Sequence, residues 1–163
     1  MQSIKYFLLM LFLSSFSCYS AIFNTVAISG SAPGDTQQIE GFSFKESPYV
    51  SAWAGKTRVA GDFGYYVQAT LPLVTDEWRY TYTMLNGGGV YTISDHVSVF
   101  AGGGASFEEA RYSSGYGYVF KTKSNNDTFN VNGGMLILVD DMGLSIGYNS
   151  ASESVDFGVV LSF

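Results

Sequence analysis

Alternation is the dominant pattern. From Ser154 to Phe163 the odd positions read Val155, Phe157, Val159, Leu161 and Phe163, and the even positions read Ser154, Asp156, Gly158, Val160 and Ser162. Successive strand side chains point to opposite faces, so this strand has one apolar wall and one small, mostly polar wall. The same period sets Leu144, Ile146 and Tyr148 against Ser145, Gly147 and Asn149. It sets Phe63, Tyr65, Val67, Ala69 and Leu71 against Gly64, Tyr66, Gln68 and Thr70, and Phe129 and Val131 against Thr128, Asn130 and Asn132. Gly87-Gly88-Gly89 and Gly102-Gly103-Gly104 set no register. Glycine there lets a strand bend sharply or lets a large side chain lie across it.

The alternating runs predict strands at 22–30, 49–60, 63–74, 80–93, 96–108, 128–139, 143–150 and 154–163. Tight turns are expected at Gly61-Asp62, Ser94-Asp95 and Asp140-Asp141. Longer polar segments separate the other strands: 30–48, 75–78, 109–127 and 150–154. Short turns at one end and long loops at the other are the asymmetry of an outer-membrane barrel. Eight spanning strands use about 80 residues, and sixteen would need about 160, more than the chain can supply. The expected fold is therefore all-β: an eight-stranded antiparallel up-and-down transmembrane β-barrel, with the first strand paired to the last so that no edge is left. An interior of that width is filled by side chains.

The first twenty residues change the picture of where this fold is found. Lys5 gives a thin positive start, Tyr6 to Leu13 is an unbroken apolar run, and Ser14 to Ser20 is small and polar, with Cys18 and Ser20 suited to a cut before Ala21. This reads as a secretory signal peptide over 1–20, followed by a barrel over 21–163. Its apolar core is too short for a spanning helix. Cys18 is the only cysteine, so a processed chain has no disulfide framework. The whole chain carries net charge −6, and −7 once Lys5 is removed, which argues against nucleic acid as a partner.

Candidate chemistry is sparse. Tyr49, Trp53, Tyr65, Tyr66, Trp78, Tyr80, Tyr82, Tyr91, Phe129, Tyr148 and Phe163 fall near strand ends and suggest aromatic girdles at the membrane surfaces. Placing Trp53 against lipid turns Lys56 and Arg58 into the lumen, where Asp156 also points. Inward charges must be paired or hydrated. A lumen network of Lys56, Arg58, Gln68, Asp156 and neighbouring Ser and Asn is the expectation, with a stabilising role. His96 is the only histidine and follows a short turn, on the periplasmic side. The adjacent pairs Glu108-Glu109 and Asp140-Asp141 point apart on a strand. No catalytic constellation, metal-ligand spacing or cofactor motif is expected. The segment 109–127 is the best binding candidate, with Tyr112, Tyr116, Tyr118, Phe120, Lys121 and Lys123 among Ser and Gly, an adaptable contact chemistry. Its lysines suit lipopolysaccharide phosphates or acidic glycans. The alternative for this segment is a hairpin standing above the membrane with solvated faces.

The chain resembles the Ail/Lom/OmpX family of small outer-membrane barrels. The ending, with Asp156, Gly158, Leu161 and the terminal Phe163, is similar to the assembly signal of outer-membrane proteins. Tyr91 to Phe100 is similar to the family's central strand–turn–strand. Gly41-Phe42-Ser43-Phe44-Lys45 is similar to the family's second strand, a register that competes with 49–60. The segment near Ser150 to Glu153 is short for a final loop, and the loop residues of adhesive relatives have no match. The resemblance implies a monomeric surface barrel in the bacterial outer membrane, inserted by the barrel-assembly machinery through its last strand. It also implies a role in adhesion to a host protein or glycan, virulence or envelope integrity. The alternatives are a lipid-modifying barrel enzyme, which needs a base on the outer rim, and a narrow channel.

Overall fold

A computed structural model describes residues 22–32, 36–39, 42–73, 79–114, 118–122 and 128–163. The expected signal peptide lies outside them. Eleven strands form: β1 (Thr25–Ser31), β2 (Thr36–Ile39), β3 (Phe42–Glu46), β4 (Tyr49–Ala60), β5 (Phe63–Pro72), β6 (Arg79–Ser94), β7 (Val97–Ser114), β8 (Tyr118–Thr122), β9 (Thr128–Val139), β10 (Met142–Asn149) and β11 (Ser154–Ser162). Eight of them close a ring in the order β1, β4, β5, β6, β7, β9, β10, β11, every neighbour antiparallel, with β1 paired to β11 from Thr25↔Ser162 to Ser31↔Asp156. Closure leaves the ring without an open edge.

The outer wall is apolar because one parity of each strand is apolar. Ile28, Phe63, Val67, Leu71, Leu85, Val131, Leu144, Phe157 and Val159 are all exposed, and Phe129 is 74% exposed. That is the surface expected against hydrocarbon. The opposite parity of β11, with Ser154, Asp156 and Val160, is buried inside.

The tight turns fall at 61–62, 95–96 and 140–141. Gly61 (φ 64) and Asp140 (φ 56) take the left-handed backbone that two-residue hairpins demand. The central turn sits one residue later than expected, because Ser94 still pairs with Val97 across the hairpin.

At the loop end the ladder outruns the barrel. β6 and β7 have 16 and 18 residues, against roughly 9–11 for a membrane strand. Their apolar outward positions stop at Leu85 and Phe107, and the same parity continues as Thr83, Thr81 and Glu109. β3 adds to β6 in parallel through Lys45↔Arg79 and Glu46↔Tyr80, and β8 adds to β7 from Ala110↔Thr122 to Ser114↔Tyr118. The projecting sheet thus runs β2-β3-β6-β7-β8. One expectation is corrected here, and the competition between two registers is decided in favour of the strand expected at 49–60. Strand seven does not stop at residue 108, since backbone pairing does not require apolar side chains. The stretch 41–45 does not supply the second barrel strand: Phe42–Glu46 belongs to the projecting hairpin, and 49–60 takes the barrel position between β1 and β5.

Candidate functional site

The barrel interior is built in three layers. Nearest the short turns lies an aromatic and aliphatic plug of Ala27, Trp53, Tyr66, Val90, Phe100, Leu136, Leu138 and Val160. Trp53 and Tyr66 stack with ring centroids 5.6 Å apart and planes at 14°, and Phe100 meets Tyr66 edge-on at 5.2 Å. The glycine runs make room for these rings. Gly88 faces Gly102 across the β6–β7 ladder, and a Cβ on Gly88 would meet the Tyr66 ring while one on Gly102 would meet its hydroxyl. A Cβ on Gly134 would likewise meet the Phe100 ring.

The middle layer is polar. Asn149 Nδ2 donates to Asp156 Oδ2 (2.7 Å), and Asn149 Oδ1 accepts from Asn130 Nδ2 (3.1 Å) and Asn86 Nδ2 (3.4 Å). Asn130 Nδ2 also donates to Asn86 Oδ1 (2.9 Å). Gln68 Oε1 accepts from Asn86 Nδ2 (3.4 Å) and from Asn132 Nδ2, and Asn132 Oδ1 accepts from the Tyr66 hydroxyl (2.8 Å). Ser51 Oγ lies 2.7 Å from Thr70 Oγ1 and donates to Asp156 Oδ2 at 3.4 Å. A carboxamide is both donor and acceptor, so Asn and Gln can relay bonds from strand to strand. The belt ties together β4, β5, β6, β9, β10 and β11 across the lumen.

The third layer, at the loop end, is Phe44, Tyr49, Tyr80, Tyr82, Met84 and Ala110, with Ala151 packed against it. Tyr82 N donates to the Tyr49 hydroxyl (3.2 Å), and the Tyr82 hydroxyl donates to that of Tyr80 (3.2 Å). The short final turn is held by Asn130 Oδ1, which accepts from Ala151 N at 2.9 Å and Ser150 Oγ at 3.3 Å.

Of the four residues expected in the lumen, the structure brings Gln68 and Asp156 into one network. Arg58 is not there. Its side chain is 48% exposed at the short-turn rim and reaches Asp95 Oδ1 at 2.6 Å. Two facts cause the difference. Trp53 is 4% exposed inside the barrel, not against lipid, so the inward positions of β4 are odd. The β4–β5 ladder then shifts register between Lys56 and Ala60, with Arg58 itself at φ 55. Lys56 is half-buried and, by the same parity, on the outward side of β4. Arg58 holds the Asp95 carboxyl below the usual carboxylate range, by hydrogen bond and by charge.

The girdle expectation divides. Tyr65, Tyr91, Phe129, Tyr148 and Phe163 are exposed on the outside, whereas Tyr49, Trp53, Tyr66, Tyr80 and Tyr82 are buried within. Trp78 lies outside the described residues. A narrow barrel needs bulk in its interior, and these rings supply it. Sequence reasoning set Asn130 and Asn132 inward but missed Asn86. Asn86 precedes the glycine run that hid the register. Counting parity back from Tyr91 to Asn86 would have turned it inward.

Among the binding candidates, Tyr112 lies on β7, and Tyr118, Phe120 and Lys121 lie on β8. Tyr112 pairs with Phe120, and Arg111 with Lys121. Tyr116 and Lys123 lie outside the described residues. Of the terminal motif, Asp156 is in the polar belt, Gly158 is half-buried, and Leu161 and Phe163 are exposed on the outward parity. His96 is exposed in the β6–β7 turn, its Nδ1 3.1 Å from the Leu138 carbonyl. No group of three metal-ligating side chains occurs among the described residues.

No protein-family profile matches the chain, and no curated protein matches it in sequence. Solved structures do match in fold. One is Ail, the attachment invasion locus protein of Yersinia pestis, in complex with the heparin analogue sucrose octasulfate. The TM-score is 0.63 at 15% identity, covering 85% of this chain and 93% of that one. The fold is that of the Ail barrel. A second structure of Ail gives a TM-score of 0.60 at 15% identity, over 86% and 94% of the two chains. Neisserial surface protein A, NspA, gives 0.53 at 15% identity, over 86% and 97%.

Proposed function

We propose that the protein is a small, monomeric, non-enzymatic barrel of the bacterial outer membrane that works through its loop end as a surface-contact element. Its lumen is structural and adds to envelope integrity. The observation that carries this reading is the division of the molecule. The interior is crossed by a polar belt between two aromatic layers, while the ladder at the loop end continues past the apolar band into a projecting sheet. A sealed interior leaves the exterior of the loop end as the working surface. Strands β7 and β8 carry Tyr112, Tyr118, Phe120 and Lys121, which suit an acidic partner through aromatic and lysine contacts. A sulfated glycan is the favoured class, since the Ail barrel, alike in fold, binds a heparin analogue. Lipopolysaccharide phosphates offer the same chemistry. A cleaved leader at 1–20 and insertion by the barrel-assembly machinery through Asp156, Gly158, Leu161 and Phe163 complete the proposal. A lipid-modifying enzyme would need a base at the outer rim, and His96 in the β6–β7 turn is at the opposite end.

The test compares cells carrying the full chain with cells in which a short turn replaces residues 111–122, for attachment to host-cell monolayers and to immobilised heparin. Attachment that depends on 111–122 is the expected result. Equal attachment by both, with both proteins in the outer membrane, contradicts the proposal.

A further inference from the structure

Below the polar belt, between Trp53 and Asp156, the structure leaves a cavity with a volume of about 10 Å³, walled on its apolar side by Ala27, Phe100 and Leu136. Three of its lining side chains, Trp53, Ser145 and Asp156, are 4%, 6% and 2% exposed. Each carries a buried polar atom that makes no hydrogen bond among the described residues: Trp53 Nε1, Ser145 Oγ and Asp156 Oδ1. The other oxygen of Asp156 is well served by Asn149 and Ser51. Orphaned polar atoms are rare in folded interiors, and three around one cavity call for a common partner.

The chemistry of the three atoms selects that partner. An indole N–H only donates, a carboxylate accepts, and a serine hydroxyl does either. A metal or ammonium cation would satisfy Asp156 but offers no lone pair to Trp53. An anion would satisfy Trp53 but would face the carboxylate. A water molecule offers both roles, with a lone pair for Trp53 Nε1–H and its own hydrogens for Asp156 Oδ1 and Ser145 Oγ. Three bonds are typical of a buried water. The space is near the threshold of about 10–15 Å³ at which one water fits. We infer that this cavity is a binding site for a single, long-lived structural water bridging Trp53, Ser145 and Asp156. That water joins the aromatic plug to the polar belt and completes the bonding of the lumen.

The test is water–protein cross-relaxation by NMR on the full folded barrel in detergent micelles, read at the indole Nε1–H of Trp53. The chain has two tryptophans, so Trp53→Phe assigns the signal. The expected result is a cross-peak to water, of the sign that marks a long-lived bound molecule. It should persist in Ser145→Ala, which removes the hydroxyl as a relay, and vanish in Ser145→Val, whose larger side chain fills the cavity. Absence of the peak in the wild type overturns the inference. So does its loss in a folded Ser145→Ala, or its survival unchanged in a folded Ser145→Val. Should Ser145→Val fail to fold, the wild-type and Ser145→Ala spectra decide the matter alone.

Discussion

Asn149 is the junction of the polar belt, accepting from Asn86 and Asn130 and donating to Asp156. Asn149→Leu strands these partners in a buried setting, where each orphaned group costs about 1–3 kcal/mol. A loss of stability of at least that size is expected in urea unfolding of the folded barrel in micelles, and a change within error would show that the belt is not cooperative. Glycine gives a second contrast. A Cβ on Gly102 would run into the Gly87 carbonyl and the Tyr66 hydroxyl, whereas a Cβ on Gly87 meets its nearest neighbour, the Tyr66 carbonyl, at an ordinary 3.5 Å. Gly102→Ala is expected to destabilise by about 1–3 kcal/mol, as overpacking does, and Gly87→Ala far less, under the same unfolding measurement. At this scale the sequence was legible wherever alternation was clean. Gln68 and Asp156 are buried within, on the parity that their uninterrupted alternation gives them. The side taken by Trp53 was not legible, because a tryptophan near a strand end suits a membrane interface and a crowded lumen equally well. Parity carries the same ambiguity to Lys56 and Arg58.

Turns and projecting hairpins follow different rules from the barrel wall. The Arg58–Asp95 pair links the β4–β5 turn region to the β6–β7 turn through exposed side chains, and the guanidinium holds Asp95 below its ordinary range. A depressed folded-state pKa means that the pair's contribution is present above the unfolded carboxylate value and is lost as pH falls through the lowered one. Arg58→Gln should therefore move the Asp95 titration, followed by carboxyl NMR, upward towards the usual range. High salt should weaken the shift in the wild type, because the pair is exposed. An unchanged midpoint in the variant would show that the pair does not persist in solution. At the loop end, β8 pairs with β7 alone among the described residues. Replacing 111–122 by a short turn should leave the barrel folded while removing the proposed contact surface. The projecting sheet was less legible than the wall. Phe44, Tyr80, Tyr82, Met84 and Ala110 are buried together at its base, but β3 has only five residues, too few for alternation to mark, and Gly41 to Lys45 is similar to a family strand at a barrel position that 49–60 occupies.

For the molecule as a whole, strand count, closure and filling of the interior belong together. An eight-stranded ring is narrow, and here aromatic layers and an amide belt occupy it. Planar-bilayer recordings of the purified barrel should show no stepwise conductance. Regular channel openings would mean that the belt parts in the membrane. The number of strands was readable from length and turn spacing, and the pairing of first to last from the need to remove edges. The layering was not readable, since it depends on which residues from distant strands share a level. The central claim is a closed barrel resident in the outer membrane. The most direct measurement is the gel mobility of outer-membrane fractions kept cold in detergent against the same fractions boiled. A protein confined to those fractions, migrating differently before and after boiling, is the predicted result. A protein released with the soluble periplasmic contents, with one mobility under both treatments, would contradict it.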